Sequence, residues 1–255
     1  MKPIFIVAKN TFREIFRDRI LYGLMVFAIL LILLSLALGE LSYSEQSRIT
    51  IDFGFTAIHL SAMILSIFVG STLVSREIEK KTIMTLLVRP ISRTQFIVGK
   101  SFGLLAVIVM SIVLLAIVLL GIFQVLGQTV SLAFFVGLYG IVLESTLLLA
   151  ITLFFGSFAS PMLAVSFSLG VFLIGHWLDS LKYFTDKSSS LVFVNFGRSV
   201  SHIIPNLEFF NWRSLFVYDS AIPYPELLIA TVYGLAWSAL LIALSTTILR
   251  NRDLG

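Results

Sequence analysis

A chain of 255 residues that is 58% hydrophobic and only 13% charged, with a net charge of +4, has too little charge to cover the surface of a soluble domain. Its mean hydropathy of +1.02 fits a surface that faces lipid, so the sequence predicts an integral membrane protein. Cysteine is absent, which excludes disulfides, thiolate metal sites and cysteine nucleophiles.

The elements follow in chain order. In residues 1–19, Pro3 suits the first turn of a helix. Lys2, Lys9, Arg13 and Arg17 then share one face, with Phe5, Phe12, Ile15 and Phe16 elsewhere. That pattern predicts an amphipathic helix lying in the membrane interface. A cleaved signal peptide ending near `ALG` at 37–39 is the competing reading. Its apolar run would be too long, and Glu14 and Asp18 sit in its head. Six apolar runs of spanning length follow, at about 20–38, 55–74, 96–123, 132–158, 161–178 and 227–249. Lipid offers the backbone no hydrogen bonds, so each is expected to be a helix. The fold class is all-α: a single membrane domain over 1–255 with six transmembrane helices, an N-terminal interfacial helix and a charged cytoplasmic helix between the second and third spans. Lys and Arg are distributed 13 to one side and 5 to the other, which puts both termini in the cytoplasm. Residues 179–225 form the long extracytoplasmic segment. It is too polar to span and too aromatic for a free loop, so short helices packed as a cap are expected. Tyr22, Tyr43, Trp177, Tyr224 and Trp237 fit an interfacial aromatic belt.

The stretch `SREIEKKTIMTLLVRPISRTQFIVGK` at 75–100 holds eight of the chain's 32 charges. Glu77 and Glu79 precede Lys80, Lys81 and Arg89, the order that a helix dipole favours. Ile78, Ile83, Leu86 and Leu87 supply an apolar side. Pro90 ends the helix and biases Arg89 away from helical geometry. Ser92 and Gln95 then have capping-box spacing, so a new helix starts at once. The product is a charged cytoplasmic elbow over 75–95. A loop that only sets topology would need Lys and Arg but not the acids, the apolar side or the proline–serine break.

This stretch resembles the first cytoplasmic loop of permeases of the type-2 ATP-binding-cassette (ABC) exporter class. It supplies that class's acidic run, Leu-Leu, proline–Ser/Thr–Arg turn and Gly-Lys as Glu77, Glu79, Thr82, Leu86, Leu87, Pro90, Ser92, Arg93, Gly99 and Lys100. The opening `AKNTFREIFRDRILYG` is similar to the branch related to permeases of nitrous-oxide reductase maturation. The resemblance implies that the elbow is a coupling helix. Arg76, Glu77, Glu79, Lys80, Lys81, Thr82, Leu86, Arg89 and Arg93 would dock in a separate ABC ATPase subunit, with further contacts from the N-terminal helix and the short 157–161 loop. It also implies a homodimer with two ATPases in the cell inner (plasma) membrane. ATP and Mg would be bound by the partner, with no cofactor in this chain and no nucleic-acid partner. `IVGKS` at 97–101 lacks the first Gly of a phosphate-binding loop, having Thr94 there, so this chain is not itself the ATPase. An ATP-driven assembly or mechanical factor, a secondary transporter and a membrane enzyme stay open as alternatives. The sparsely polar spans favour lipid-like or apolar cargo.

Few other residues point to chemistry. Glu144, midway along the fourth run, must face a cavity or a partner, or be protonated. It either lines a translocation path or bonds Ser145, Thr146 or a neighbouring helix. His176 and Asp179 have helical i,i+3 spacing, with His59 and His202 on the same side. Two such ligands without a third favour hydrogen bonding over a copper or zinc site. Residues 197–202 imitate a serine-hydrolase elbow but lack its closing Gly and preceding strand, so no catalytic residue is assigned. Gly99 with Gly103, and Gly234 with Ser238, permit close helix contact.

Overall fold

A computed structural model describes residues 2–40, 46–79, 92–188, 190–218 and 220–251. These are helical almost throughout, with no strand among the described residues. Helix α1 covers Lys2–Phe16 and α2 covers Arg19–Glu40. Helix α3, Gln46–Ile64, passes through a π-helical turn, Leu65–Val69, into α4, Gly70–Glu79, as one span. Then come α5, Arg93–Val125, α6, Leu132–Gly156, and α7, Pro161–Lys187. A shorter helix α8, Leu191–Ile203, precedes a single 3-10 turn and α9, Arg213–Val217; α10, Tyr224–Asn251, closes the chain. Six of these segments are long and apolar enough to cross a membrane, matching the six apolar runs.

Local chemistry sets the boundaries. The Asp18 carboxylate accepts the Ile20 N–H at 3.0 Å and so caps α2. Ser92 and Gln95 form the expected capping box: Gln95 N–H donates to Ser92 Oγ at 3.2 Å, and Ser92 N–H to Gln95 Oε1 at 3.1 Å. The far end of α5 closes at Gly127, φ +67°, with Gln128 N–H donating to Phe123 O at 2.9 Å. That left-handed stop turns the chain straight back into α6. Pro161 opens α7. Helices α3 and α7 extend farthest past their apolar runs. Helix α3 begins at Gln46 and α7 continues to Lys187, because polar residues beyond an apolar run still complete backbone hydrogen bonds.

The α3–α4 span and α6 are the central pair, mostly buried, while the other four spans keep broad apolar faces exposed. An even number of spans puts both termini at one end of the bundle. At the opposite end Phe55, Phe123, Phe134 and Phe216 form an aromatic cluster with ring centroids 5.4–6.2 Å apart. Edge-to-face pairs dominate it, the favoured arrangement for aromatic rings. Phe216 anchors α9 there, one turn beyond Arg213.

Helix α1 packs on the first turns of α5. A side-chain carbon at Gly99 would lie 2.7 Å from Val7 Cβ, and one at Gly103 would lie 2.6 Å from the Ala8 carbonyl. The Gly99–Gly103 pair is therefore a docking groove for α1, and Thr11 is buried against it at 2% exposure. Gly103→Val should lift α1 away from α5. The chain has no cysteine of its own, so Thr11→Cys gives a clean probe. Its maleimide labelling is expected to be slow in the wild-type background and at least about tenfold faster with Gly103→Val, the local opening exposing it.

Candidate functional site: a buried histidine–glutamate–histidine cluster

Three spans each contribute one polar side chain to a single point. Glu144 on α6 is 3% exposed, His59 on α3 is 12% and His176 on α7 is 18%. Glu144 Oε1 lies 2.8 Å from His59 Nε2 and 3.4 Å from His176 Nε2. Each residue sits about the same distance along its helix from the end opposite the termini, so the bundle stacks them at one depth.

A chain segment inserted from that end completes the cluster. Residues 205–213 run between α6, α7 and α10, and glycines on those helices make room for them. A side-chain carbon at Gly175 would lie 3.0 Å from Pro205 O, and one at Gly234 would lie 2.9 Å from the Phe210 ring; at Gly140 it would collide with the Phe210 carbonyl. Leu207, Phe210 and Trp212 are consequently buried, and Leu207 N–H donates to Gly175 O at 3.2 Å.

The segment's polar groups form one hydrogen-bonded chain. Asn206 Nδ2 donates to Asp179 Oδ1 at 2.9 Å, and Asn206 Oδ1 accepts the Glu208 N–H at 3.0 Å. Asn211 Nδ2 donates to Glu208 Oε1 at 2.7 Å, and Arg213 Nε donates to Asn211 Oδ1 at 2.9 Å. Arg213 Nη1 then donates to His59 Nδ1 at 3.3 Å. That assigns the His59 proton to Nε2, which donates it to Glu144. The Glu144 carboxyl is thus linked through His59 to the Arg213 guanidinium, the partnered setting that an acidic side chain at this depth requires.

The expected residues fall as follows. Glu144 takes partners on neighbouring helices, one of its two readings, while the Thr146 hydroxyl donates to the Val142 carbonyl and the Ser145 carbonyl accepts from the Ser66 hydroxyl. His176 and Asp179 do not act as a pair: Asp179 turns to Asn206 and His176 to Glu144. His202 bonds the Arg198 carbonyl at 2.6 Å on an exposed helix. Sequence reading missed Arg213, whose placement depends on the inserted segment; the glycines on three spans were the available signal. Of the elbow, Arg76, Glu77 and Glu79 fall on the α4 backbone. Lys80, Lys81, Thr82, Leu86 and Arg89 lie outside the described residues. Arg93, at the start of α5, donates to the carbonyls of Leu249 and, at 3.1 Å, Arg250, at the end of α10. Lys100 is 4% exposed, and its Nζ donates to Leu73 O on α4 at 3.1 Å.

With this geometry in view, the comparison with known families is direct. The family model described as ABC-2 family transporter protein matches residues 16–179, a stretch that holds the elbow, His59, Glu144 and His176. The chain belongs to the ABC-2 transporter family and is a multi-pass membrane permease of that class. No curated protein matches the sequence.

Gly140→Ala tests whether the inserted segment is seated as described. It is expected to lower thermal stability in detergent by an amount worth about 1–3 kcal/mol, the usual cost of overpacking. Gly121→Ala, which meets nothing within 4 Å, should leave the melting temperature unchanged or raise it.

Proposed function

We propose that the chain is the membrane subunit of an ABC exporter, driven by a separate ATPase that grips the elbow at residues 76–93. The supporting observation is the bracing of the helices that flank that elbow. Lys100 ties α5 to α4 through Leu73 O, and Arg93 ties α5 to the carbonyl end of α10. A displacement of the elbow would therefore reach three spans as one body rather than dissipate in a loose connection. Arg93 also places positive charge at the C-terminal end of α10, where the helix dipole favours it.

In this reading two copies of the permease pair, each with one ATPase that binds ATP and Mg. Both termini lie in the cytoplasm and the protein resides in the plasma (inner) membrane, as the 13-to-5 distribution of Lys and Arg favours. The opening residues ally it with the branch resembling nitrous-oxide-reductase maturation permeases. Glu144 lines the translocation path, and residues 179–225 cap its outer mouth. The mostly apolar spans suit lipid-like or apolar cargo. Movement follows alternating access, the inserted 205–213 segment withdrawing as the outer side opens.

Co-purification with candidate ABC ATPases from the same source, followed by ATPase and transport assays in proteoliposomes, tests the proposal. Glu77→Ala with Glu79→Ala should keep the folded permease but lower cargo-stimulated ATP hydrolysis and transport at least about tenfold, the scale expected for loss of a positioned charged contact. Transport by the permease alone, or full coupling in the double variant, would overturn the reading.

A further inference from the structure

We infer that His59, Glu144 and His176 form a binding site for a divalent transition-metal ion of the zinc class, and that Arg213 is a tethered cation competing for it. The inference starts from where the protons sit. His176 Nδ1 lies 3.0 Å from the Phe172 carbonyl, which can only accept, so Nδ1 carries a proton. In its neutral form the ring, with that proton on Nδ1, presents a bare lone pair at Nε2. That atom is buried and has no hydrogen-bond partner among the described residues, yet it faces Glu144 Oε1 at 3.4 Å. The same oxygen is already an acceptor from His59. Two lone pairs facing each other in a buried space call for an electrophile between them.

The donor set fits a metal ion. Two imidazole nitrogens and one carboxylate oxygen, all within 4.8 Å of one another, are the three-ligand set with which zinc keeps one position open. With bonds of about 2.0–2.1 Å, tetrahedral ligand atoms sit about 3.4 Å apart. The His176–Glu144 separation already has that value; His59 would back away from Glu144 by about half an ångström, and the two imidazole nitrogens, which lie within 4.8 Å of each other, would settle to the same spacing. The Phe172 carbonyl holds the His176 tautomer as outer partners of metal-bound histidines do. Three spans supply the ligands, so the ion would fasten α3, α6 and α7 together.

Arg213 occupies the position that opposes the ion. Its donation to Nδ1 keeps the His59 proton on Nε2, where a metal would bind. Binding requires that proton to move to Nδ1 and the guanidinium to withdraw, a tautomer change with no net loss of protons. Arg213 can withdraw while keeping its Nε bond to Asn211. Removing the guanidinium should therefore tighten binding, whereas a residue that merely shaped the site would weaken it when lost.

The test uses the purified full-length chain in lipid nanodiscs, without any ATPase, so its outcome is separate from that of the coupling proposal. Zinc chloride is added, unbound metal is removed, and zinc per chain is counted. The wild type should retain about one zinc, with two imidazoles in its X-ray absorption spectrum. Glu144→Gln and His176→Ala should each weaken binding at least about tenfold, His202→Ala should leave it unchanged, and Arg213→Gln should tighten it several-fold. The wild-type spectrum and the gain in Arg213→Gln do not depend on variants that lose stability. Absence of retained zinc in both the wild type and Arg213→Gln would mean that a proton alone sits between His176 and Glu144, and would overturn the site. Zinc without imidazole scattering, or equal loss in His202→Ala, would overturn it too.

Discussion

One buried carboxylate organises this bundle. An ionised side chain near mid-membrane costs about 3 kcal/mol or more if left alone, and lipid offers it nothing. Glu144 is relieved of that cost by His59 from one neighbouring span and by Arg213 from a segment drawn into the bundle. The packing follows from this need. The central position of α3–α4 and α6, the aromatic cluster that holds α9, and the glycines facing residues 205–210 all serve to bring His59 to that carboxyl and Arg213 to His59. Chain irregularity at membrane depth is tolerated only where it is enclosed by protein, and the hydrogen-bonded run from Asp179 to Arg213 satisfies that condition group by group.

The two ends of the molecule solve different problems with the same means. At the end away from the termini, a polar chain is threaded between helices and sealed by Phe210 and Trp212. At the other, charged side chains bind backbone carbonyls: Lys100 on Leu73, Arg93 on Leu249 and Arg250. Helix α1 adds a further brace by lying in the glycine groove of α5. A π-helical turn interrupts the central span between these ends, just past His59. Such turns recur at functional sites, and Ser66 within it reaches the Ser145 carbonyl beside Glu144 at 3.2 Å. The cluster and the elbow are thus connected by a single span with one irregular turn.

Much of this was legible in the residues. Hydropathy alone separates six spans, and spacing alone gives the Ser92–Gln95 capping box and the start at Pro161. The span limits at Gln46 and Lys187 were not legible, because hydropathy reports where apolar residues stop and not where hydrogen bonding does. The Gly99–Gly103 pair marked close packing, but its partner is the interfacial helix rather than another span. The cluster was half visible. Pairing His176 with Asp179 followed sequence spacing, whereas depth is what counts between helices: His59 is the fourteenth residue from Gln46, Glu144 the thirteenth from Leu132, and His176 the twelfth from Lys187. Arg213 was missed because no pattern within 205–213 tells an inserted segment from a surface one; only the glycines on three spans hint at it.

The central claim is that Glu144 is held across the α3–α6 boundary by His59. A double-mutant cycle on the unfolding free energy of the purified protein, with His59→Ala, Glu144→Ala and both together, measures it most directly. A coupling energy of about 1 kcal/mol or more is predicted for a charge-assisted bond in an enclosed site. Additivity of the two substitutions to within about 0.3 kcal/mol would show that the carboxylate finds its support elsewhere and would contradict the account.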